Sequence, residues 1–227
     1  MHISSSPAIL YFGTPVVLIS TLNHDRSANL APISSVFWLG WRCVIGIGAG
    51  SKTAQNMTRT GECVLNLPSV NQVDAVNRLA LTTGCNPVSA KKQARGYRHV
   101  HDKFGVAGLT SDISETVIAP RVRECPVQME TVVEASHGIA ENDALLSGGI
   151  VTFELRVLRV HLDPGILVDG EADRVDPDKW RPLIMSFQKF YGLDGQPLRE
   201  SSLSSIPEAM YRSPDIERAR NEVKIAV

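Results

Sequence analysis

Apolar positions along the chain fall into short runs separated by polar turns. Residues 16–21 are apolar and β-branched at both parities, the pattern of a strand buried on both faces. A polar turn at 23–27 follows, and 28–32 is expected to return antiparallel. Residues 43–48 and Glu62–Leu67 read as two more strands, the second ended by Pro68. Between them Lys52–Thr60 reads as a short helix that Gly61 stops. Later, 127–135 and Ile150–Leu162 alternate through β-branched residues and are expected to pair, with 136–149 as the loop between them. Three further helices are predicted. One covers 71–81, with Asn71 as N-cap and apolar residues at 73, 76, 79 and 80. Another follows Asp176-Pro177, shows Trp180, Leu183, Ile184, Phe187 and Phe190 on one face, and stops at Gly192. The last covers 215–223 after Ser213-Pro214, is charged and poorly amphipathic, and is expected to fray or pack on a partner. Many short strands and few long helices predict a mainly β fold, an antiparallel barrel with peripheral α-helices.

Composition narrows the function classes. The chain has 227 residues, with 23 Lys and Arg against 24 Asp and Glu, so neither a nucleic-acid nor a membrane surface is indicated. No apolar run approaches the roughly 18 residues of a spanning helix, and the first ten residues lack a basic stretch followed by a long apolar one, which predicts a cytoplasmic protein. A chain of this length buries about 70% of its unfolded surface and needs no staple. The four cysteines, Cys43, Cys63, Cys85 and Cys125, form no CxxC pair. Cys43 and Cys63 lie in apolar strands and are expected to pack, whereas Cys85 lies in a loop. No GxSxG elbow exists, and the only close histidine pair is His99-x-His101, so neither a serine hydrolase nor a metal site is predicted. The remaining histidines, at 2, 24, 137 and 161, stand alone and are read as structural.

Candidate chemistry concentrates where 43–48 runs into Gly50 and the helix opened by Ser51, Lys52 and Thr53. The first N–H groups of a helix have no internal partner and carry the positive end of its dipole, so an anion can sit there, and Lys52 adds charge. Asn56 is one turn on, beside Lys52 and Thr53. Ser51 takes the place of the glycine that a P-loop requires, and of the third glycine of GxGxxG. The bland alternative is a capped surface helix with a solvated lysine. The stretch 82–101 is basic and loop-like, with Lys91, Lys92, Arg95, Arg98, His99 and His101. It is either simply solvated, or it covers a cofactor or receives a dinucleotide phosphate.

The blocks Pro15-Val-Val-Leu-Ile-Ser-Thr21, Asn29-Leu-Ala-Pro-Ile-Ser34, Ser51-Lys-Thr-Ala-Gln-Asn56, Glu62-Cys-Val-Leu-Asn-Leu67 and Asp102-Lys-Phe104, with the late strand from Phe153, resemble the flavin reductase-like family of FMN-binding split barrels. The resemblance runs from about Pro7 to Tyr191 and implies an antiparallel split β-barrel over 1–192, with 193–227 as a linker and short helix. It implies that Asn29, Ala31, Pro32, Ile33, Ser34 and Ser35 lie along the isoalloxazine ring, helped by Thr21, and that Ser51, Lys52, Thr53 and Asn56 hold the phosphate. It further implies a homodimer that binds FMN, takes hydride from NADH or NADPH, and serves a flavin-dependent monooxygenase or a small acceptor. Trp38 and Trp41 read as barrel-plug or interface residues. Many members carry Gly-Asp-His before the late strand; Gly148-Gly149-Ile150 stands at the corresponding place here, without the histidine. The alternative is therefore an FMN- or haem-type cofactor-binding protein with no nicotinamide chemistry of its own.

Overall fold

The computed structural model describes residues 2–193 and 197–224. Its frame is one seven-stranded antiparallel sheet. In chain order the strands are β1 (Val17–Leu22), β2 (Ala28–Ile33), β3 (Val36–Leu39), β4 (Arg42–Gly48), β5 (Glu62–Leu67), β6 (Val127–Ile139) and β7 (Ile150–Leu162). In space they run β2-β1-β5-β6-β7-β4-β3. The two edge strands are thus neighbours in sequence, joined only by Ser34 and Ser35. Three Cα steps reach about 11 Å at most, so the sheet must curl until its edges approach each other at that end. No ladder among the described residues closes β2 onto β3, and the seam between them stays open.

Strand β1 is buried on both faces. Val17 and Ile19 join Cys43, Ile45, Phe153 and Leu155 inside the curl. Val16 and Leu18 face outward against helices α2 (Val73–Leu79) and α3 (Lys103–Ala107), packing with Leu79, Phe104 and Ala107. Each such fully buried aliphatic stabilises the fold by about 1.5–3 kcal/mol. Helix α1 (Lys52–Thr60) turns Ala54 and Met57 into the inner core. Ser51 caps it, its Oγ accepting from Ala54 N at 3.1 Å, and Gly61 ends it at φ 72° with its N–H on Met57 O.

Four expectations need correction. No helix follows Asp176-Pro177: the chain makes one turn, with Lys179 N and Trp180 N donating to Asp176 O, and then forms the hairpin β8 (Leu183–Ser186) and β9 (Lys189–Gly192). Pro182 lies well inside the expected helix, where its ring would strike the preceding turn. Phe187 and Gln188, at φ 45° and 66°, make the reversal. The helix expected from Asn71 begins earlier and splits. Ser69 caps a 3₁₀ turn, Val70–Gln72, with Gln72 Oε1 accepting from Ser69 N and Oγ, and α2 follows. The loop expected at 136–149 shrinks, because β6 continues to Ile139 opposite Ile150. The charged C-terminal helix, α4 (Pro214–Arg220), packs on β7 of its own chain with Asp215 and Ala219 buried, and Arg42 Nε donates to Asp215 Oδ2 at 3.0 Å. Residues 194–196 of the expected linker and 225–227 at the C-terminus lie outside the described residues.

Candidate functional site

The turn between β1 and β2 and the first two turns of α1 meet in a polar cluster at one end of the sheet. Asn29 Nδ2 donates to Thr53 Oγ1 at 3.2 Å and to Thr21 Oγ1 at 3.4 Å. Asn56 Nδ2 donates to Thr21 Oγ1 at 3.1 Å and to Asn23 Oδ1 at 3.0 Å. Thr21, Asn29, Thr53 and Asn56 are all buried, with 0–3% of their surface exposed. Residues as far as 35 positions apart in sequence are therefore locked by side-chain amides and hydroxyls, which fixes α1 against the β1–β2 turn. Four residues predicted from sequence are brought together here. Asn23 belongs to the same network and was not foreseen, because a turn asparagine reads as turn chemistry alone.

Ser51 and Lys52 stand at the mouth of this cluster. Ser51 Oγ spends a lone pair on the cap, which leaves its own proton free to donate. Lys52 is half-buried and has no carboxylate within 4 Å among the described residues. Over it lies the segment after α2. A Cβ built on Gly84 would meet Asn29 Oδ1 at 2.5 Å and Lys52 Cγ at 2.9 Å, so only glycine lets this backbone close over the site. Next to Gly84, Cys85 is half-buried with Sγ 3.5 Å from Gly50 O, at the entry to α1.

Lys103 stands in the Asp102-Lys-Phe104 block, but sequence reading gave it no role. It is 2% exposed, and its ammonium donates to Thr82 Oγ1, two residues before Gly84. Burial, with the charges of Lys92 and Arg98, pulls its pKa down to about 8. A signal existed: Lys103 shares the buried face of α3 with Phe104 and Ala107, and a lysine on an apolar face needs a partner.

Of the residues predicted along the ring, Asn29 and Thr21 sit in this polar cluster, whereas Ala31, Pro32, Ile33, Ser34 and Ser35 lie along the open seam. Ala31, Pro32 and Ile33 belong to β2, which pairs only with β1, so one edge of the strand carries unpaired backbone groups. Ser34 and Ser35 form the junction to β3; all five are half-buried, and Ser35 O accepts from Gly46 N at 2.9 Å. Gly148-Gly149-Ile150 reaches the same end of the sheet. Ala49 N donates to Gly149 O at 3.1 Å, and Ile150 pairs with Gly48. Elsewhere, burial raises the pKa of Cys43 and of Cys63 to about 12. His161 is structural as expected: its Nε2 lies 2.7 Å from the buried Glu130.

A model of the flavin reductase like domain matches residues 9–193. An uncharacterised protein of Bacillus subtilis, YdfE, is 35% identical over 187 residues, 82% of this chain and 87% of that protein. Among solved structures, flavoredoxin of Desulfovibrio vulgaris (Miyazaki F) superposes with a TM-score of 0.70 at 21% identity, covering 90% of this chain and 99% of that one. Nitrilotriacetate monooxygenase component B from Bacillus cereus superposes with a TM-score of 0.66 at 21% identity, covering 82% and 87%.

Proposed function

Because the chain belongs to the flavin reductase-like family, we propose that it binds FMN as an oxidoreductase, accepts hydride from NADH or NADPH, and passes electrons to a flavin-dependent monooxygenase or a small acceptor. The observation that carries the reading is the α1 terminus: a capped helix start whose Lys52 has no carboxylate within 4 Å among the described residues, with a glycine closing above. When bound, FMN supplies the electron chemistry, and the protein supplies binding and orientation.

The residues present fit that group. The free N–H groups of α1, the Ser51 hydroxyl and Lys52 offer donors to a phosphate. Thr21, buried and tied to Asn56, positions Asn29, which in turn holds Thr53. The unpaired edge of β2 from Asn29 onward gives backbone donors and acceptors to the rim of a flat ring, with Ala31 and Ser34 small enough to let it approach. No acid–base pair is required for hydride transfer. Orientation is, since the reacting atoms must come within about 3–3.5 Å.

A binding protein without nicotinamide chemistry is the second reading, favoured by the lack of an imidazole at Gly148-Gly149-Ile150. Mixing the FMN-loaded protein with NADH and with NADPH, oxygen excluded, separates the two. The flavin absorbance is expected to bleach with at least one nucleotide. An oxidised spectrum that persists for many minutes with both, and that dithionite bleaches at once, would establish the second reading.

A further inference from the structure

Thr82–Thr83 and Arg98–His99 form a short parallel ladder, Thr82 opposite Arg98 and Thr83 opposite His99. Successive strand residues point to opposite faces, and partners across a ladder share one. Thr82 and Thr83 therefore split the basic stretch between two sides. Thr82 Oγ1 takes the Lys103 ammonium, while Thr83 Oγ1 takes that of Lys92 at 3.2 Å. Charge arithmetic says what the α1 terminus needs. A phosphate monoester carries about −1.5 to −2 near neutral pH, and Lys52 with a helix terminus of about +0.5 supplies about +1.5 against it. Lys92 is left over, with no carboxylate within 4 Å among the described residues.

The side that Lys92 occupies has further uncommitted groups. Thr83 Oγ1 accepts from both Lys92 Nζ and Cys85 N, so its own proton is unspent. His99 Nδ1 is buried with no hydrogen-bond partner among the described residues, an uncommon condition that marks a missing partner. Lys92 Nζ lies 5.7 Å from the centroid of Tyr97, which places an aromatic ring beside the charge. A cation, a free hydroxyl proton, an unpartnered imidazole nitrogen and a ring together suit the phosphate of a nucleotide. We propose that Thr83, Lys92, Tyr97 and His99 form a second phosphate subsite, beside the α1 terminus and joined to it through Cys85, for the extra phosphate of a nucleotide larger than FMN: the 2′-phosphate of NADPH or the pyrophosphate of FAD. This rests on the flavin-binding reading above and deepens it.

The test is a set of fluorescence titrations with FMN and with FAD, and steady-state rates of the FMN-loaded protein with NADH and with NADPH, for the wild type, Lys92→Ala and Lys92→Arg. In Lys92→Ala, FMN affinity is expected to stay within about twofold, while one of the larger ligands loses about 10-fold or more, the typical loss of a charged hydrogen bond. Lys92→Arg should recover most of that loss. A drop in kcat/KM for NADPH but not NADH identifies the 2′-phosphate, and a drop in FAD affinity identifies the pyrophosphate. If FMN affinity falls in step with FAD, Lys92 belongs to the first phosphate site and the inference fails. It fails equally if none of the four ligands responds, since Lys92 then only ties Thr83 to Tyr97. A wild-type protein that quenches with neither flavin overturns the flavin reading itself, a result distinct from both.

Discussion

Lys52 and Lys103 lie on different helices and do different work. Lys52 is half-buried and free to point at a ligand, whereas Lys103 is sealed behind Thr82. Replacing Lys52 by alanine removes one charged hydrogen bond, which costs about 1.5–3 kcal/mol and weakens FMN binding roughly 10- to 150-fold. Riboflavin, without a phosphate, should bind as before. Equal losses for the two ligands in parallel titrations would mean that Lys52 acts on the fold or the ring. At this scale the sequence was informative where a residue sits in a motif. Lys52 was found through helix-start chemistry and Asn29 through its block. Gly84 was not found and Lys103, though inside a block, received no role, because each acts on a partner that only the tertiary fold brings near.

At the scale of elements, the loop between α3 and β6 shows how one buried carboxylate can hold a segment that has little regular structure. Glu130 on β6 is fully buried and accepts from Glu115 N at 2.8 Å, Thr116 N at 2.5 Å, Thr116 Oγ1 at 2.6 Å and His161 Nε2 of β7 at 2.7 Å, with Arg121 Nε 3.8 Å away. Burial by itself would raise its pKa; the hydrogen bonds from His161, Thr116 and the two backbone N–H groups outweigh it and bring it to about 2, from 4.5. A carboxylate depressed on folding stabilises the folded state above its unfolded pKa, and that stability drains as pH falls through the folded one. The window is therefore about 4.5 down to 2, and the full displacement corresponds to about 3 kcal/mol. Urea unfolding of the wild type should lose that stability across the window. Glu130→Gln, which cannot ionise, should show a shallower fall over the same range and be less stable at neutral pH. Parallel curves for the two proteins would show that another group carries the acid response. None of this was legible beforehand, since Glu130 sits in a stretch that reads as a plain half-exposed strand.

For the whole molecule, the open seam is the decisive feature. The backbone edges of β2 and β3 are unpaired, and β3 exposes Phe37 at 53% and Leu39 at 72%. At the tip of the β6–β7 hairpin, Leu145 and Leu146 are exposed at 95% and 59%. Unpaired edges beside exposed apolar side chains invite a second chain. We expect a symmetric homodimer that covers this face and encloses the groove where the ring is proposed to lie. Light scattering at micromolar concentration should give twice the monomer mass of 24.7 kDa. A monomer that holds FMN fully would refute the arrangement.

What the chain determined by itself was whatever depends on neighbours in sequence. The double-sided burial of β1, the Ser51 cap, the Gly61 stop and the β-branched alternation of β6 and β7 all follow from side-chain period and backbone conformation, and each appeared where it was expected. Periodicity failed where it met a stronger local constraint. The stripe from Trp180 to Phe190 fits a helix, but Pro182 forbids one, and the same residues serve a hairpin of four-residue strands. Only the tertiary structure decided which distant groups share a site. Asn29 meets Thr53, Gly84 closes over Lys52, Thr82 and Thr83 take up Lys103 and Lys92, and β2 lies near β3 with no ladder between them among the described residues. These contacts depend on the curl of a seven-stranded sheet and the order of its strands, a property of long-range pairing that no window of sequence contains.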